Sequence, residues 1–171
     1  MATHPDIKST LQKFDGNLWY YYVEIPKKKA TPFIKENDRR VVCTLNKTIS
    51  FQAALMPLGN GNFFINVNQA TRKKLKLNQY DEVLVTLEKD NSEYGLPLPE
   101  EFKELLSQDL MGNEVFHQLT PGKQRTLLYI VGKPKSADLR IRNGIAVLEH
   151  LKKNNGTVNY KLLNQEIKNL S

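Results

Sequence analysis

The stretch from residue 9 to residue 88 is the part of the chain whose sequence most constrains the fold. It consists of short runs in which apolar and polar residues alternate, and each run ends at a turn signal. Alternation with a period of two predicts half-buried β-strands. We expect strands at residues 11–15, 18–25, 39–45, 48–56, 63–67 and 82–89. Five or six short strands of this kind predict a small closed β-barrel rather than a doubly wound sheet.

Turns and one helix complete this region. Asn46-Lys47 is expected to close a hairpin, and the run from Pro57 to Asn62 is the strongest turn signal in the chain. Because a strand rather than a helix follows that run, we interpret its glycines as a hairpin turn and not as a phosphate-binding loop. Asn68 is a good N-cap for a short helix ending near Leu75. The outward side chains of this helix are expected to be Arg72, Lys73, Lys74 and Lys76.

The same pattern predicts what fills the barrel. The aromatic run Trp19–Tyr22 has two interpretations, because aromatic strands of single-strand-binding barrels stack nucleic-acid bases. We favour a structural role, with Trp19 and Tyr21 inside the barrel and Tyr20 and Tyr22 covering its outside. The expected interior residues are Trp19, Val41, Leu45, Phe51, Phe64 and Val85.

The sequence contains little that indicates catalysis. Cys43 is the only cysteine, which excludes an intrachain disulfide, and its place in an alternating strand favours a buried structural thiol over a nucleophile. His4, His117 and His150 are scattered, and neither a catalytic motif nor paired-cysteine metal spacing is present. We therefore expect no enzymatic activity, no cofactor and no metal site.

After residue 92 the pattern changes from strands to helices. We expect a barrel domain at residues 1–92 and an α-helical segment at 93–171, with helices at about 100–108, 109–118, 121–131, 137–153 and 160–170. Thr120-Pro121 is a typical helix start, and Asn154-Asn155-Gly156 a typical end. Apolar spacing in the helix at 137–153 predicts an inward face formed by Ile141, Ile145, Leu148 and Leu151.

Charge divides the helical segment into two blocks. Residues 93–118 carry six acidic groups and one basic group, whereas residues 119–156 carry eight basic groups and two acidic ones. The basic block predicts weak, salt-dependent contact with nucleic acid. The candidate contact residues are Lys123, Arg125, Lys133, Lys135, Arg140, Arg142, Lys152 and Lys153. Two alternatives remain open: the charges only solvate the helical surface, or the two blocks neutralise each other within the fold.

Several stretches carry a resemblance to known families. LWYYYVEIP, RRVVCTLNKTISFQAALMPLGNGNFFINV and RKKLKLNQYDEVLVTLEKD resemble the domain-of-unknown-function family 1905. That resemblance implies a small double-split β-barrel similar to the AbrB and MazE class of DNA-binding barrels, and by fold analogy a homodimer. LPLPEEFKELLSQD and FHQLTPGKQRTLLYIVGKPKSADLRIRNGIAVLEHL resemble the segment called bacteriocin-protection, YdeI or OmpD-associated, which implies a bacterial protein.

The chain departs from these family patterns at two places. The barrel family usually has Gly-Asp before its last strand, whereas Tyr80 precedes Asp81 here. Because a tyrosine adopts a positive φ only at a cost, we expect this turn to be built differently. The tail family usually has a Thr-Arg-x-x-Arg-Ile string, whereas residues 138–143 read DLRIRN, so no arginine role is carried over.

These features predict a basic, soluble, cytoplasmic protein that binds rather than catalyses. No apolar run is long enough to span a bilayer, and no signal peptide is visible, so no membrane association is expected. The first hypothesis is a nucleic-acid-associated or regulatory protein. The second is a protein-interaction module in stress or bacteriocin tolerance, and the third is small-molecule binding inside the barrel.

Overall fold

A computed structural model of the chain describes residues 4–16 and 20–170. The chain separates into two units, Met1–Asn91 and Ser92–Ser171. The first unit is built mainly from β-strands, and the second consists of α-helices. We refer to them as the barrel unit and the helical unit.

The strands of the barrel unit form one antiparallel sheet, in the order β4-β3-β7-β1-β2-β6-β5. They are β1 (Ile7–Lys13), β2 (Tyr21–Ile25), β3 (Arg40–Leu45), β4 (Ile49–Ala54), β5 (Met56–Pro57), β6 (Phe63–Val67) and β7 (Glu82–Lys89). Although β4 and β5 end this order, only the buried Leu55 separates them in sequence. The sheet must therefore curl until its edges approach, and β4 lies beside β6. The predicted small barrel is confirmed.

Alternate strand residues fill the barrel. Val41, Leu45 and Val85 are fully buried as predicted, and Phe51 packs against them from a half-buried position. The prediction for Phe64 was wrong, because the register of β6 turns Ile65 and Val67 inward and leaves Phe64 outside. The Phe64 ring packs there against Phe14 and Tyr22, at centroid distances of 5.0 and 5.7 Å. The prediction for Trp19 lies outside the described residues.

Short helical pieces connect the strands. Strand β2 is followed by α1 (Lys27–Ala30) and a 3-10 turn (Thr31–Phe33), in which Ala30 and Phe33 are buried in the core. The interposed helix α2 (Gln69–Leu75) is confirmed, together with its cap: Asn68 Oδ1 accepts a hydrogen bond from the Thr71 N–H at 2.8 Å. Asn46 and Lys47 adopt positive φ angles of 50° and 56° in the predicted hairpin.

The turn that leads into β7 differs from its prediction. Tyr80 adopts a φ of 73°, so the turn keeps the left-handed residue that glycine would supply, with tyrosine in its place. The Tyr80 N–H donates to the Leu11 carbonyl at 2.7 Å, and the Leu11 N–H donates to the Asp81 carbonyl at 2.9 Å. These bonds to β1 hold the backbone of the turn in a conformation that tyrosine seldom adopts.

The helical unit is organised around its longest helix. Its helices are α3 (Glu100–Gln108), α4 (Leu110–His117), α5 (Pro121–Gly132), α6 (Ala137–Lys153) and α7 (Tyr160–Asn169). Helix α6 packs against all four others. Phe102 and Phe116 meet edge to face at 5.2 Å in the core, and Val147 and Leu151 of α6 are fully buried beside them.

The predicted inward face of α6 was partly wrong. Leu148 and Leu151 are buried, but Ile141 and Ile145 are 38% and 43% exposed. The buried face is instead centred on Gly144, Val147 and Leu151 and extends to Ala146 and His150, because neighbouring helices surround α6 on several sides. The apolar residues Ile141 and Ile145, which the spacing placed on the inward face, therefore lie on the surface of α6.

Candidate interaction surfaces

The eight basic residues predicted to contact nucleic acid lie on α5, on α6 and at the joint between them. They fall into two groups in the structure. Arg125, Arg140 and Lys152 are half-buried, and the remaining five, Lys123, Lys133, Lys135, Arg142 and Lys153, are exposed. Arg140 and Lys152 are further distinguished because each forms an ion pair with the acidic block.

Arg140 joins three parts of the helical unit. Its Nη2 lies 2.6 Å from Oε1 of Glu101 at the start of α3. Its Nη1 donates to the carbonyls of Pro134 and Lys135, at 3.0 and 2.7 Å, in the joint between α5 and α6. The guanidinium holds the pKa of Glu101 below its ordinary value, and the carboxylate raises the pKa of Arg140. The Arg140 guanidinium thus already has partners within the fold, which makes it a poor candidate for a phosphate contact.

Lys152 makes a second bridge of the same kind. Its Nζ lies 2.7 Å from Asp109 Oδ2 and 2.7 Å from Glu149 Oε1. Asp109 also caps α4, because its Oδ1 accepts from the Gly112 N–H at 2.8 Å. The ammonium of Lys152, and then the Gly112 N–H, lower the pKa of the Asp109 carboxyl. Both bridges therefore connect the acidic block to the basic block, as one of the two alternatives to nucleic-acid binding predicted.

The barrel unit carries a larger net positive charge than the helical unit, although the basic block lies in the helical unit. The helical unit holds 11 Lys/Arg and 9 Asp/Glu, a net of +2, because the acidic and basic blocks belong to the same unit. The barrel unit holds 14 Lys/Arg and 9 Asp/Glu, a net of +5. Most of the excess positive charge therefore lies in the barrel unit.

A groove of about 510 Å³ opens on the helical unit between the segment before α3 and the C-terminal half of α5. Its apolar lining is formed by Leu96, Pro97, Pro99, Leu128 and Tyr129. Leu128 is buried beneath it, whereas the Tyr129 ring is 60% exposed. Such a volume is within the usual range for ligand sites in proteins. We call this surface the helical groove.

Small and charged residues shape the helical groove. A Cβ atom on Gly132 would lie 3.1 Å from Cγ of Pro99, so glycine lets the two walls approach. The Arg140–Glu101 pair lies in the lining and is internally neutralised. Lys133 has no carboxylate partner among the described residues, and its Nζ lies 5.9 Å from the Tyr129 ring centroid. Glu100 is the exposed acidic residue of the lining.

The sequence did not predict this groove. The buried side of α5 includes Leu127, Leu128 and Val131, whereas Tyr129 of the same helix is exposed. Of the twelve large apolar side chains exposed among the described residues, nine belong to the helical unit, including Leu110, Met111 and Tyr129. Tyr129 is the one of these nine side chains that lines the helical groove.

Three side chains of types that often take part in catalysis have structural roles in this chain. Cys43 is fully buried, and burial raises its thiol pKa to about 12, so it is a structural thiol as predicted. His150 is fully buried: its Nε2 accepts from the Asn159 N–H and its Nδ1 donates to Glu166, both at 3.1 Å. His117 Nε2 is hydrogen-bonded to the Tyr94 hydroxyl at 2.7 Å, and its Nδ1 donates to the Asn113 carbonyl at 2.9 Å.

No three His, Cys, Asp or Glu side chains among the described residues are placed to hold a metal ion. Across residues 4–16 and 20–170, no helix has the length and apolar character needed to cross a membrane.

Comparison with protein families gives two matches, in the order in which the two units occur. Residues 8–87 match the model of the family described as Domain of unknown function (DUF1905). Residues 96–154 match the model of the family described as Bacteriocin-protection, YdeI or OmpD-Associated. Searches of curated proteins and of solved structures returned no significant match.

Proposed function

We propose that this chain is a non-enzymatic protein-interaction module whose helical unit carries the binding groove. Its two units match the models of the DUF1905 family and of the bacteriocin-protection, YdeI or OmpD-associated family. The description of the second family names an association and a protective role. In this chain we assign that association to a peptide segment of a protein partner.

One observation carries the proposal: an apolar groove whose most exposed wall is an aromatic ring. Leu96, Pro99 and Leu128 provide an apolar floor, and most of the Tyr129 side chain beside it is exposed. Covering that ring and floor removes apolar surface from water, which is the main driving force for association. Tyrosine is also among the residues most often found at the energetic centre of protein interfaces.

The charges at the rim indicate what the occupant carries. Arg140 and Glu101 neutralise each other, which leaves Lys133 as the cation of the lining and Glu100 as its exposed acid. Lys133 and Tyr129 are neighbours, so an apolar side chain packed on Tyr129 would bring an adjacent acidic residue close to Lys133. We therefore propose a peptide with an aromatic or branched aliphatic residue flanked by an acidic one.

Nucleic-acid binding through the basic helices is less well supported by this geometry. Arg140 and Lys152 are held by carboxylates, and the helical unit has a net charge of only +2. The five exposed cations are distributed over α5, α6 and the joint between them. A backbone-tracking surface needs several free cations on one face. For the helical unit, a protein partner is the better proposal.

Selection from a random peptide library on the full chain tests this function. Peptides that bind are measured by fluorescence anisotropy against the wild-type protein, Tyr129→Ala and Tyr160→Ala. Tyr160 is a matched control, because it is an exposed tyrosine of the same unit outside the groove lining. We expect Tyr129→Ala to weaken binding by about 30-fold, or about 2 kcal/mol, as truncation of a central interface residue does.

Lys133→Gln refines the same test. It should weaken binding of peptides with an acidic residue beside the apolar one and leave neutral peptides nearly unchanged. The proposal fails if the selected peptides bind Tyr129→Ala and Tyr160→Ala with equal affinity. It also fails if selection yields no peptide that competes for this surface.

A further inference from the structure

Tyr80 combines a costly backbone conformation with an exposed ring. Its φ of 73° lies in the left-handed region, which glycine adopts freely and a residue with a Cβ atom adopts only at an energetic cost. The side chain is 69% exposed, so burial of the ring recovers little of that cost. Strained residues that contribute little to packing are concentrated at functional sites. We therefore infer that the exposed ring of Tyr80 has a function.

Hydrogen bonds hold the backbone on both sides of Tyr80. The Tyr80 N–H binds the Leu11 carbonyl, and the Asn78 N–H donates to Oδ2 of Asp81 at 2.7 Å. The Asp81 N–H returns to the Asn78 carbonyl at 3.1 Å. The Asp81 carboxylate is thus occupied within the turn, next to the tyrosine.

Three exposed lysines precede this turn in the sequence. Helix α2, which ends directly before it, exposes Lys73 and Lys74, and its C-cap residue Lys76 is exposed four positions before Tyr80. No carboxylate among the described residues lies within ion-pair distance of these three lysines. Unlike Arg140 and Lys152, they are available to an anion from solution.

A cation–π contact between α2 and β2 places α2 at the end of the barrel that also holds the Tyr80 turn. The Arg72 guanidinium lies 3.8 Å from the ring centroid of Tyr21, and Lys13 Nζ approaches the same ring at 5.6 Å. Lys13 pairs with Tyr21 across β1 and β2, and Leu11, two residues earlier, binds the Tyr80 backbone. The lysines of α2 and the Tyr80 ring therefore belong to one end of the unit that carries a net charge of +5.

We propose that this end of the barrel binds single-stranded nucleic acid, with a base stacked on Tyr80 and the flanking phosphates contacted by Lys73, Lys74 and Lys76. Aromatic rings next to free cations are the combination that single-strand-binding surfaces use, because every base offers a π-face and every linkage a negative charge. A duplex keeps its bases stacked on each other and cannot offer one to Tyr80. The site is distinct from the helical groove and does not depend on its function.

Fluorescence anisotropy of a labelled single-stranded oligonucleotide with the full chain tests the proposal. Heparin and the matching duplex serve as polyanions without a free base. We expect the single strand to bind best, and Tyr80→Gly to weaken it about tenfold, the loss of one stacked base. Tyr80→Phe should keep the affinity. Replacing Lys73, Lys74 and Lys76 by alanine should reduce the slope of log affinity against log salt by about 2.

Stability separates a binding role from a structural one. Tyr80→Gly relieves the left-handed strain, so its thermal midpoint should equal or exceed that of the wild type while its affinity falls. Tyr80→Asn, which also tolerates positive φ and lacks the ring, should behave in the same way. Tyr129→Ala should leave oligonucleotide binding unchanged. The proposal is overturned if single strands do not bind at low salt, if duplex or heparin binds equally well, or if both ring-free variants retain full affinity.

Discussion

Arg140 and Glu101 are 39 positions apart in sequence, yet their side chains meet at 2.6 Å. The pair joins the first turn of α6 to the first turn of α3, and through the Arg140 contacts with Pro134 and Lys135 it also fixes the joint after α5. One arginine thus links three helices of the helical unit beside the groove. The sequence suggested that the Arg140 charge contacts a ligand, whereas in the structure it pairs with Glu101.

Acid should weaken the helical unit through this pair. Arg140 lowers the pKa of Glu101 in the folded chain, so the unfolded chain takes up the proton first as the pH falls. The stabilising contribution is complete above the ordinary carboxyl pKa of about 4.3 and is lost as the pH falls through the lower folded value. Glu101→Gln should lower the thermal midpoint at pH 7 by about 2–4 °C and flatten its fall below pH 5.

Glu104→Gln is the control for that experiment, because Glu104 lies on the same helix and is exposed. It should leave the pH dependence of the thermal midpoint almost unchanged. If wild type and Glu101→Gln lose stability in parallel between pH 7 and pH 3, the Arg140 pair does not contribute as described.

The close approach of α3 and α6 depends on Gly144. A Cβ atom at this position would lie 2.6 Å from Cδ1 of Leu105 and 3.2 Å from Cδ2 of the fully buried Phe102. Alanine improves helix propensity by up to about 1 kcal/mol, but overpacking costs about 1–3 kcal/mol. We expect Gly144→Ala to lower the free energy of unfolding by about 1 kcal/mol, measured by urea denaturation.

Gly122→Ala provides the matched comparison, because no atom lies within 4 Å of a Cβ added there in the first turn of α5. It should be neutral or slightly stabilising. Equal stabilisation by both alanines would show that the helices can separate at no cost, contrary to the packing described.

Cys43 should be inert in the folded protein. It is fully buried in the barrel, and burial raises its thiol pKa to about 12. Only about one thiol in ten thousand would then be ionised at pH 8, and the thiolate is the reactive form. A disulfide reagent should label Cys43 only after denaturant unfolds the barrel. Rapid labelling of the native chain would contradict the structural role assigned to this thiol.

The sequence indicated those elements whose causes are local. Turn pairs such as Asn46-Lys47, the cap at Asn68, and the alternation in β3 and β7 depend on a few neighbouring residues. The hairpin, helix α2 and the helical segment after residue 92 therefore match their predictions. Where two patterns were equally compatible with a strand, as for Phe64, the choice required the register, which depends on pairing with other strands.

The interaction surfaces were decided by tertiary structure. The sequence determined which charges and rings the chain carries, but not that Arg140 and Lys152 would face Glu101 and Asp109, or that Ile141 and Tyr129 would remain exposed. Those outcomes depend on how helices distant in sequence pack around α6. Tyr80 is the clearest case: the sequence showed a tyrosine where glycine is expected, and only hydrogen bonds to β1 determined that the turn keeps its left-handed backbone.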